Sequence, residues 1–358
     1  MSHLTFTQEQ IKSVLPTIIK SDVVPMIIGA AGCGKSSIVK AVAEELNLKL
    51  IDIRVSQLMP YDLAGLIAPN ADRTRAGYLP VDVFPLAADA LPINPKTQKP
   101  YEGFLIFFDE FNSGDRSTIA AAYKVVLDRK IGEQHLHPNT RIVCAGNRIQ
   151  DNAIVNRLGS AMQSRMIHLE MSVNKKEFME YATNANWNSI LTSYFRFRPD
   201  NIHNFDPTKL DEVITYASPR TWEFVNKLLQ NGLLNQSTDI VYTTICGSVG
   251  EQAGTDFMSY LQIYKDLPQV AVIEKDPTTA PLPDQDNIGA KWAMTAYLAD
   301  KFNTTNEQAL VTYIERMRED DLKVLAYRMA ATKYTKLIHN TTVLQRLKGI
   351  RSLLSKQP

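Results

Sequence analysis

The feature that most constrains this chain is the octapeptide Gly29-Ala30-Ala31-Gly32-Cys33-Gly34-Lys35-Ser36, set between the apolar run Val23–Ile28 and a helix-patterned segment from Ser37 to Leu46. Strand, glycine-rich loop and helix in that order make a cradle for phosphate. In a G-x-x-x-x-G-K-[ST] loop the backbone N–H groups wrap the phosphates, the lysine reaches the β and γ groups, and the hydroxyl faces magnesium. Gly29 to Ser37 is therefore the expected binding stretch, with Lys35 on the phosphates and Ser36 on the metal. The helix N-terminus behind the loop adds partial positive charge.

A second half of the site is expected about seventy residues on, where Phe104–Phe108 (FLIFF) ends in Asp109 and Glu110. A short apolar run stopped by two acids reads as a buried parallel strand that delivers carboxylates to its carboxyl end. Asp109 is placed to hold Mg²⁺, directly or through water, and Glu110 to orient and polarise an attacking water. A third strand, Arg141–Ala145, leads to Gly146-Asn147, which puts Asn147 beside the γ-phosphate. Strands alternating with helices around a phosphate loop predict an α/β fold, a doubly wound parallel sheet. Hydrolysis, rather than binding alone, follows from the presence of both motifs.

Composition narrows the alternatives. The chain has 358 residues, 44% of them hydrophobic and 22% charged, enough for two or three globular domains. A formal net charge of +1 argues against a bulk electrostatic partner. Three cysteines, Cys33, Cys144 and Cys246, have neither metal spacing nor even pairing, and the six histidines make no zinc motif. Cys33 lies inside the phosphate loop, where a thiol is tolerated. With no long apolar run and no secretory pattern in MSHLTFTQEQ, a cytoplasmic protein without membrane contact is expected.

Ile11, Val14, Leu15, Ile18 and Ile19 recur at helical spacing ahead of the first strand, and Lys49–Val55 reads as the second strand. Ser56–Leu86, with Pro60, Gly65, Pro69, Gly77, Pro80 and Pro85, reads as an insertion or long loop carrying Tyr61, Arg73, Arg75 and Tyr78; a solvated connection explains it as well. Ser117–Arg129 is helical.

GAAGCGKS, FLIFFDE, the strand-end Asn147 in IVCAGN, the segment Asn156–Arg165 (NRLGSAMQSR) and Ser218–Trp222 (SPRTW) together resemble an AAA+ ATPase of the MoxR-like, dynein-related branch. The resemblance runs from about Val23 to Asn231. It implies an ATP-hydrolysing, Mg²⁺-dependent ring motor, a hexamer, that remodels or activates a partner, typically one with a von Willebrand A (VWA) type domain. The octapeptide and the FLIFFDE run are then the Walker A and Walker B motifs. The irregular Ser56–Leu86 looks like the insertion this branch carries, and Asp128–Thr140 like its hairpin before the Asn strand. Arg165 matches an arginine finger that reaches the neighbouring subunit's γ-phosphate, and Arg220 the sensor arginine of the helical lid. Arg157 is either a second trans-acting arginine or a structural salt-bridge former. One departure is Phe111-Asn112-Ser113-Gly114-Asp115-Arg116, where many relatives carry an Asn-Arg pair.

The expected organisation is an α/β core over 1–171, an α-helical lid over 172–275 with Trp222, Phe224, Val225, Leu228 and Leu229 in its core, a linker over 276–287 and a helical extension over 288–358. From Leu322 to Pro358 the chain has eight Lys or Arg and no acid. That basic stretch offers a second reading, a nucleic-acid-dependent motor or loader, against a solvated face or subunit contact. Asn174-Lys175-Lys176-Glu177 only superficially resembles a guanine-reading motif, so ATP is the expected nucleotide. A non-catalytic nucleotide-gated scaffold is disfavoured by the intact Lys35, Asp109 and Glu110.

Overall fold

In the run Phe104–Phe108 successive side chains turn to opposite faces of a strand, and both faces are dry: Leu105 and Phe107 enter one apolar layer, Ile106 and Phe108 the other. This is why the run is continuously apolar rather than alternating. A computed structural model of the chain describes residues 5–151, 155–209, 213–284 and 286–354, with side chains as far as 348. By internal contacts it divides into two units, Met1–Asn174 with Asp206–Lys209, and Lys175–Phe205 with Leu210–Pro358.

The first unit is built on a parallel sheet of five strands, β1 (Val24–Gly29), β2 (Leu48–Arg54), β3 (Gly103–Asp109), β4 (Thr140–Gly146) and β5 (Met166–Met171), in the spatial order β2-β3-β4-β1-β5. Helices α1 (Gln8–Lys20) and α2 (Lys35–Glu45) put Ile11, Leu15, Ile18, Val39 and Val42 against one face. Helix α3 (Arg116–Asp128) puts Ile119, Ala122, Val125 and Val126 into the layer on the other. Each Val, Leu or Ile side chain so buried stabilises the unit by about 1.5–3 kcal/mol before chain entropy is counted. The strand order reverses around β1, and a ligand crevice forms at the carboxyl ends of the strands at such a switch point. The α/β expectation is met.

Strand β5 is not legible from periodicity. Met166, Leu169 and Met171 are buried while Ile167 and His168 are exposed, so this edge strand has neither clean alternation nor a continuous apolar run. The irregular stretch after β2 holds a short helix, Pro60–Ala64, and an antiparallel hairpin of Leu66–Pro69 with Ala76–Leu79. A second hairpin, Lys130–Ile131 with Gln134–His135, falls inside Asp128–Thr140.

The second unit is helical. Lys175–Asn184, Ser189–Phe197, Pro219–Gln230, Thr238–Val249 and Glu251–Lys265 surround an aromatic core that includes Phe178, Tyr194, Phe195, Trp222 and Phe257. Trp222 Nε1 donates to Asn201 O at 2.7 Å, and Asn201 Nδ2 donates to Tyr194 Oη at 2.6 Å and Asp256 Oδ2 at 2.9 Å, so these polar atoms inside the core are paired. Trp222, Val225 and Leu229 are core residues and Leu228 packs against them, but Phe224 is 47% exposed. It stands about 200° around the helix from Trp222.

Ile288–Lys301 gives Ala293 to the aromatic core and Met294 and Leu298 to a further core shared with Glu307–Glu315 and Asp320–Lys333. In the stretch 276–287, Asp276 accepts from the Thr278 and Thr279 hydroxyls, both at 2.6 Å, which holds its carboxyl down at about 2. There too Ala280 is buried and Pro281 O accepts from Tyr313 Oη at 2.6 Å. Of the basic residues after Leu322, Lys323 pairs with Asp320 at 3.0 Å, Lys333 with Asp300, and Arg346 with Glu315 at 2.6 Å and Asp320 at 3.1 Å. The side chains of Ile350, Arg351 and Leu354, and Lys356 entirely, lie outside the described residues.

Candidate functional site

The loop between β1 and α2 turns through two left-handed glycines, Gly32 at φ 75° and Gly34 at φ 100°. Alternation of hand along a loop turns successive N–H groups inward, which makes an anion-binding nest. A side chain at Gly34 would be strained by that φ, and its Cβ would stand 2.9 Å from Gln8 Nε2, so the amide would have to shift. That amide, at the start of α1, donates to Cys33 O and ties the helix to the loop. Cys33 itself is fully buried, and burial raises its thiol pKa against the pull of Lys35, so it stays a neutral packing group.

Lys35 is the first residue of α2 and only 8% exposed. Its ammonium donates to Gly29 O at 2.7 Å, to Ala30 O at 3.0 Å and to Asn147 Oδ1 at 3.2 Å. Ser36 Oγ donates to Asp109 Oδ2 at 2.7 Å, while Asp109 Oδ1 accepts from Glu110 N at 2.9 Å. Residues more than seventy positions apart thus meet at the carboxyl ends of β1, β3 and β4. Ser37 is the next residue of α2 and is exposed, as is Ala31 in the loop. A hydroxyl and a carboxylate with no nitrogen or sulfur donor is a donor set that suits Mg²⁺, a hard cation that keeps several waters and shares phosphate oxygens. Bound there, such an ion would neutralise charge on a transferring phosphoryl group.

Glu110 follows β3 with a left-handed backbone, φ 52° and ψ 35°, an uncommon conformation for a residue with a side chain. It turns the chain sharply at the sheet's end. Ser56 Oγ, from the turn after β2, donates to Glu110 Oε2 and fixes the carboxylate's orientation. Ser56 was not singled out by the sequence reading, because a lone serine after a strand carries no signal.

Asn112 was noted there only as part of a departure from the family pattern. It is 5% exposed, with Nδ2 donating to Asn147 O at 2.8 Å and Oδ1 accepting from Asn147 N at 3.1 Å. Gly146 makes room for it: a Cβ there would fall 2.3 Å from Asn112 Oδ1. Asn112 O in turn accepts from Asn156 N at 2.6 Å. Beyond Asn147, Arg148 Nε stands 3.2 Å from Glu170 Oε1 and Nη2 donates to Met171 O at 2.8 Å, which anchors the loop to β5.

The three arginines are placed differently. Arg157 is exposed on the rim of a cleft of about 460 Å³ that also takes in Asn112, Asn147 and Arg148. Arg165 is exposed just before β5, with Nη1 donating to its own helix end at Ala161 O, 2.9 Å away. Arg220 belongs to the second unit, exposed in the first turn of Pro219–Gln230, whose cap Ser218 exchanges hydrogen bonds with Thr221. Arg116 opens α3 and is exposed. Among the described residues no cluster of three or more His, Cys, Asp or Glu forms a metal cage, and no helix is long and apolar enough to cross a membrane.

Residues 25–167 match the family model described as the ATPase family associated with various cellular activities (AAA). Among solved structures the chain is similar to a protein of Cytophaga hutchinsonii solved as a candidate ATPase, at 14% identity over 90% of this chain and 81% of that one, TM-score 0.35. It is similar also to a RuvB mutant of Thermotoga maritima, at 18% identity over 75% of each chain, TM-score 0.38. The RuvB Holliday junction branch migration motor of the same organism is 16% identical over 74% of this chain and 76% of that one, TM-score 0.37. Among curated proteins none matches.

Proposed function

We propose that this chain, whose residues 25–167 match the AAA ATPase family model, hydrolyses ATP to ADP and phosphate as a ring of identical subunits, a hexamer, and spends the energy on remodelling or activating a partner protein. The observation that carries the hydrolytic reading is the meeting of Lys35, Ser36, Asp109, Glu110 and Asn147 at the ends of three adjacent strands. Lys35 donates to two loop carbonyls and Asn147. Phosphate oxygens take the place of those acceptors when the nest fills. Glu110, oriented by Ser56, accepts the proton of the attacking water, and Asn147, locked by Asn112, holds that water or the γ-phosphate in line.

By the resemblance of its segment, exposed Arg165 reaches the γ-phosphate of a neighbouring subunit, and Arg157 is either a second such group or a salt-bridge former. Arg220 matches, by the same resemblance, the sensor arginine of the family's helical lid. The VWA-type client rests on the resemblance of the five motifs to the MoxR-like branch, and a cytoplasmic setting rests on three cysteines that are all free. The test is ATPase rate against protein concentration for the wild type and Arg165→Ala, with light scattering alongside. Specific activity rises with assembly in the wild type, and the variant keeps its size while losing about 10³-fold in turnover. Full activity from a monomer would sink the shared site.

A further inference from the structure

The glycine-rich loop of the candidate site is braced by a side chain from a different element. Gln8, the first residue of α1, donates from Nε2 to Cys33 O, the carbonyl just ahead of left-handed Gly34. Seating α1 does not call for that bond. Ile11, Leu15, Ile18 and Ile19 bury the helix against the sheet, and Thr7 caps it by exchanging hydrogen bonds with Gln10. The chain entering the helix is pinned as well: Phe6 N donates to Glu170 O of β5 at 2.7 Å, and Phe6 O accepts from Ser172 N, just after β5, at 3.0 Å. Gln8 therefore reaches the loop from a held position.

What the bond holds is the peptide between Cys33 and Gly34. That peptide is trans, and a planar trans peptide sends its C=O and its N–H to opposite sides. With Cys33 O turned toward α1, the N–H of Gly34 is turned away from it. Glycine adopts either hand of φ with similar ease, so sterics at residue 34 leave the face of this peptide open and a hydrogen bond can choose it. The same glycine makes the approach possible, since a Cβ there would stand 2.9 Å from Gln8 Nε2. We propose that Gln8 is a positioning residue for phosphate: by keeping Cys33 O on the α1 side it keeps the Gly34 N–H aimed into the loop, and so raises the loop's affinity for a nucleoside triphosphate. The inference deepens the nucleotide reading of that loop and rests on it. A backbone N–H on a phosphate serves ground state and transition state alike, so the contribution appears in Kd and KM and not in kcat.

The test compares the full-length wild type with Gln8→Met, which keeps the side chain's length without a donor, and Gln8→Ala, which removes both. Calorimetry gives Kd for a non-hydrolysable ATP analogue with Mg²⁺, steady-state kinetics give KM and kcat, and thermal denaturation gives Tm without nucleotide. Both variants weaken Kd and raise KM by the same factor, about tenfold, which is what one hydrogen bond is worth, with kcat little changed. A lowered Tm with Kd unaltered would make Gln8 a helix anchor only, and normal binding by Gln8→Met with weak binding by Gln8→Ala would make it a packing group. Either result overturns the inference and leaves the nucleotide reading intact. Absence of any binding by the wild type removes both. Should neither variant fold, hydrogen exchange of the wild type decides: slowing of the amides of residues 6–11 together with those of 33–36 on adding the analogue supports the proposal, and protection confined to the loop rejects it.

Discussion

At the scale of single residues the site is a set of atoms each doing two jobs. Lys35 closes the loop through Gly29 O and Ala30 O and, in the function proposed, meets phosphate; Asp109 steadies Glu110 N with one oxygen and Ser36 with the other. Ser56 is the residue whose role depends most on geometry, since its hydroxyl donates to Glu110 Oε2 from 54 positions away. Ser56→Ala should lower kcat about tenfold with little change in KM, because ~1.4 kcal/mol is what a lost positioning hydrogen bond to a carboxylate costs at a transition state. Steady-state kinetics check this, and a raised KM at constant kcat would place Ser56 in binding instead. Lys35, Ser36, Asp109, Glu110 and Asn147 were all legible in the sequence, because phosphate loops and acid-ended strands use fixed spacings. Ser56, Gln8 and Arg148 were not, because each acts on a partner that only folding brings near.

At the scale of elements the question is how a strand end is held still. β4 ends in Gly146-Asn147, and the segment after β3 reaches across to grip it: Asn112 takes both backbone groups of Asn147, and the absent side chain of Gly146 leaves the space. Asn112→Ala orphans a partly buried N–H and C=O, at a cost of about 1–3 kcal/mol. Faster amide exchange at Asn147 and a lower ATPase rate are the expected readouts, and unchanged exchange would show that β4 holds its end without help. The same reasoning explains where the element-level reading stopped short. The apolar runs of β1, β3 and β4 announce themselves because both their faces are covered, whereas β5, on the sheet edge with Ile167 and His168 exposed, has no pattern to read.

At the scale of the whole molecule, the charge of the C-terminal helices changes meaning once they are folded. In sequence, Lys323, Lys333 and Arg346 belong to a run without acids; in the second unit each sits against an acid from an earlier stretch, Asp320, Asp300 or Glu315. Cations so paired release few counterions from a polyanion. Duplex DNA should therefore leave the ATPase rate unchanged across salt concentrations, and a strong stimulation that collapses with salt would restore the nucleic-acid reading. By itself the sequence determined the nucleotide site's chemical parts and the parallel sheet that carries them, because glycine loops, acid-ended strands and two-sided apolar runs are local patterns with local causes. Only the tertiary structure decided which atoms Ser56 and Asn112 hold, and that Lys333 and Arg346 of the last helices pair with Asp300 and Glu315. Those are contacts between residues far apart along the chain, and distance in space is not written in order along it.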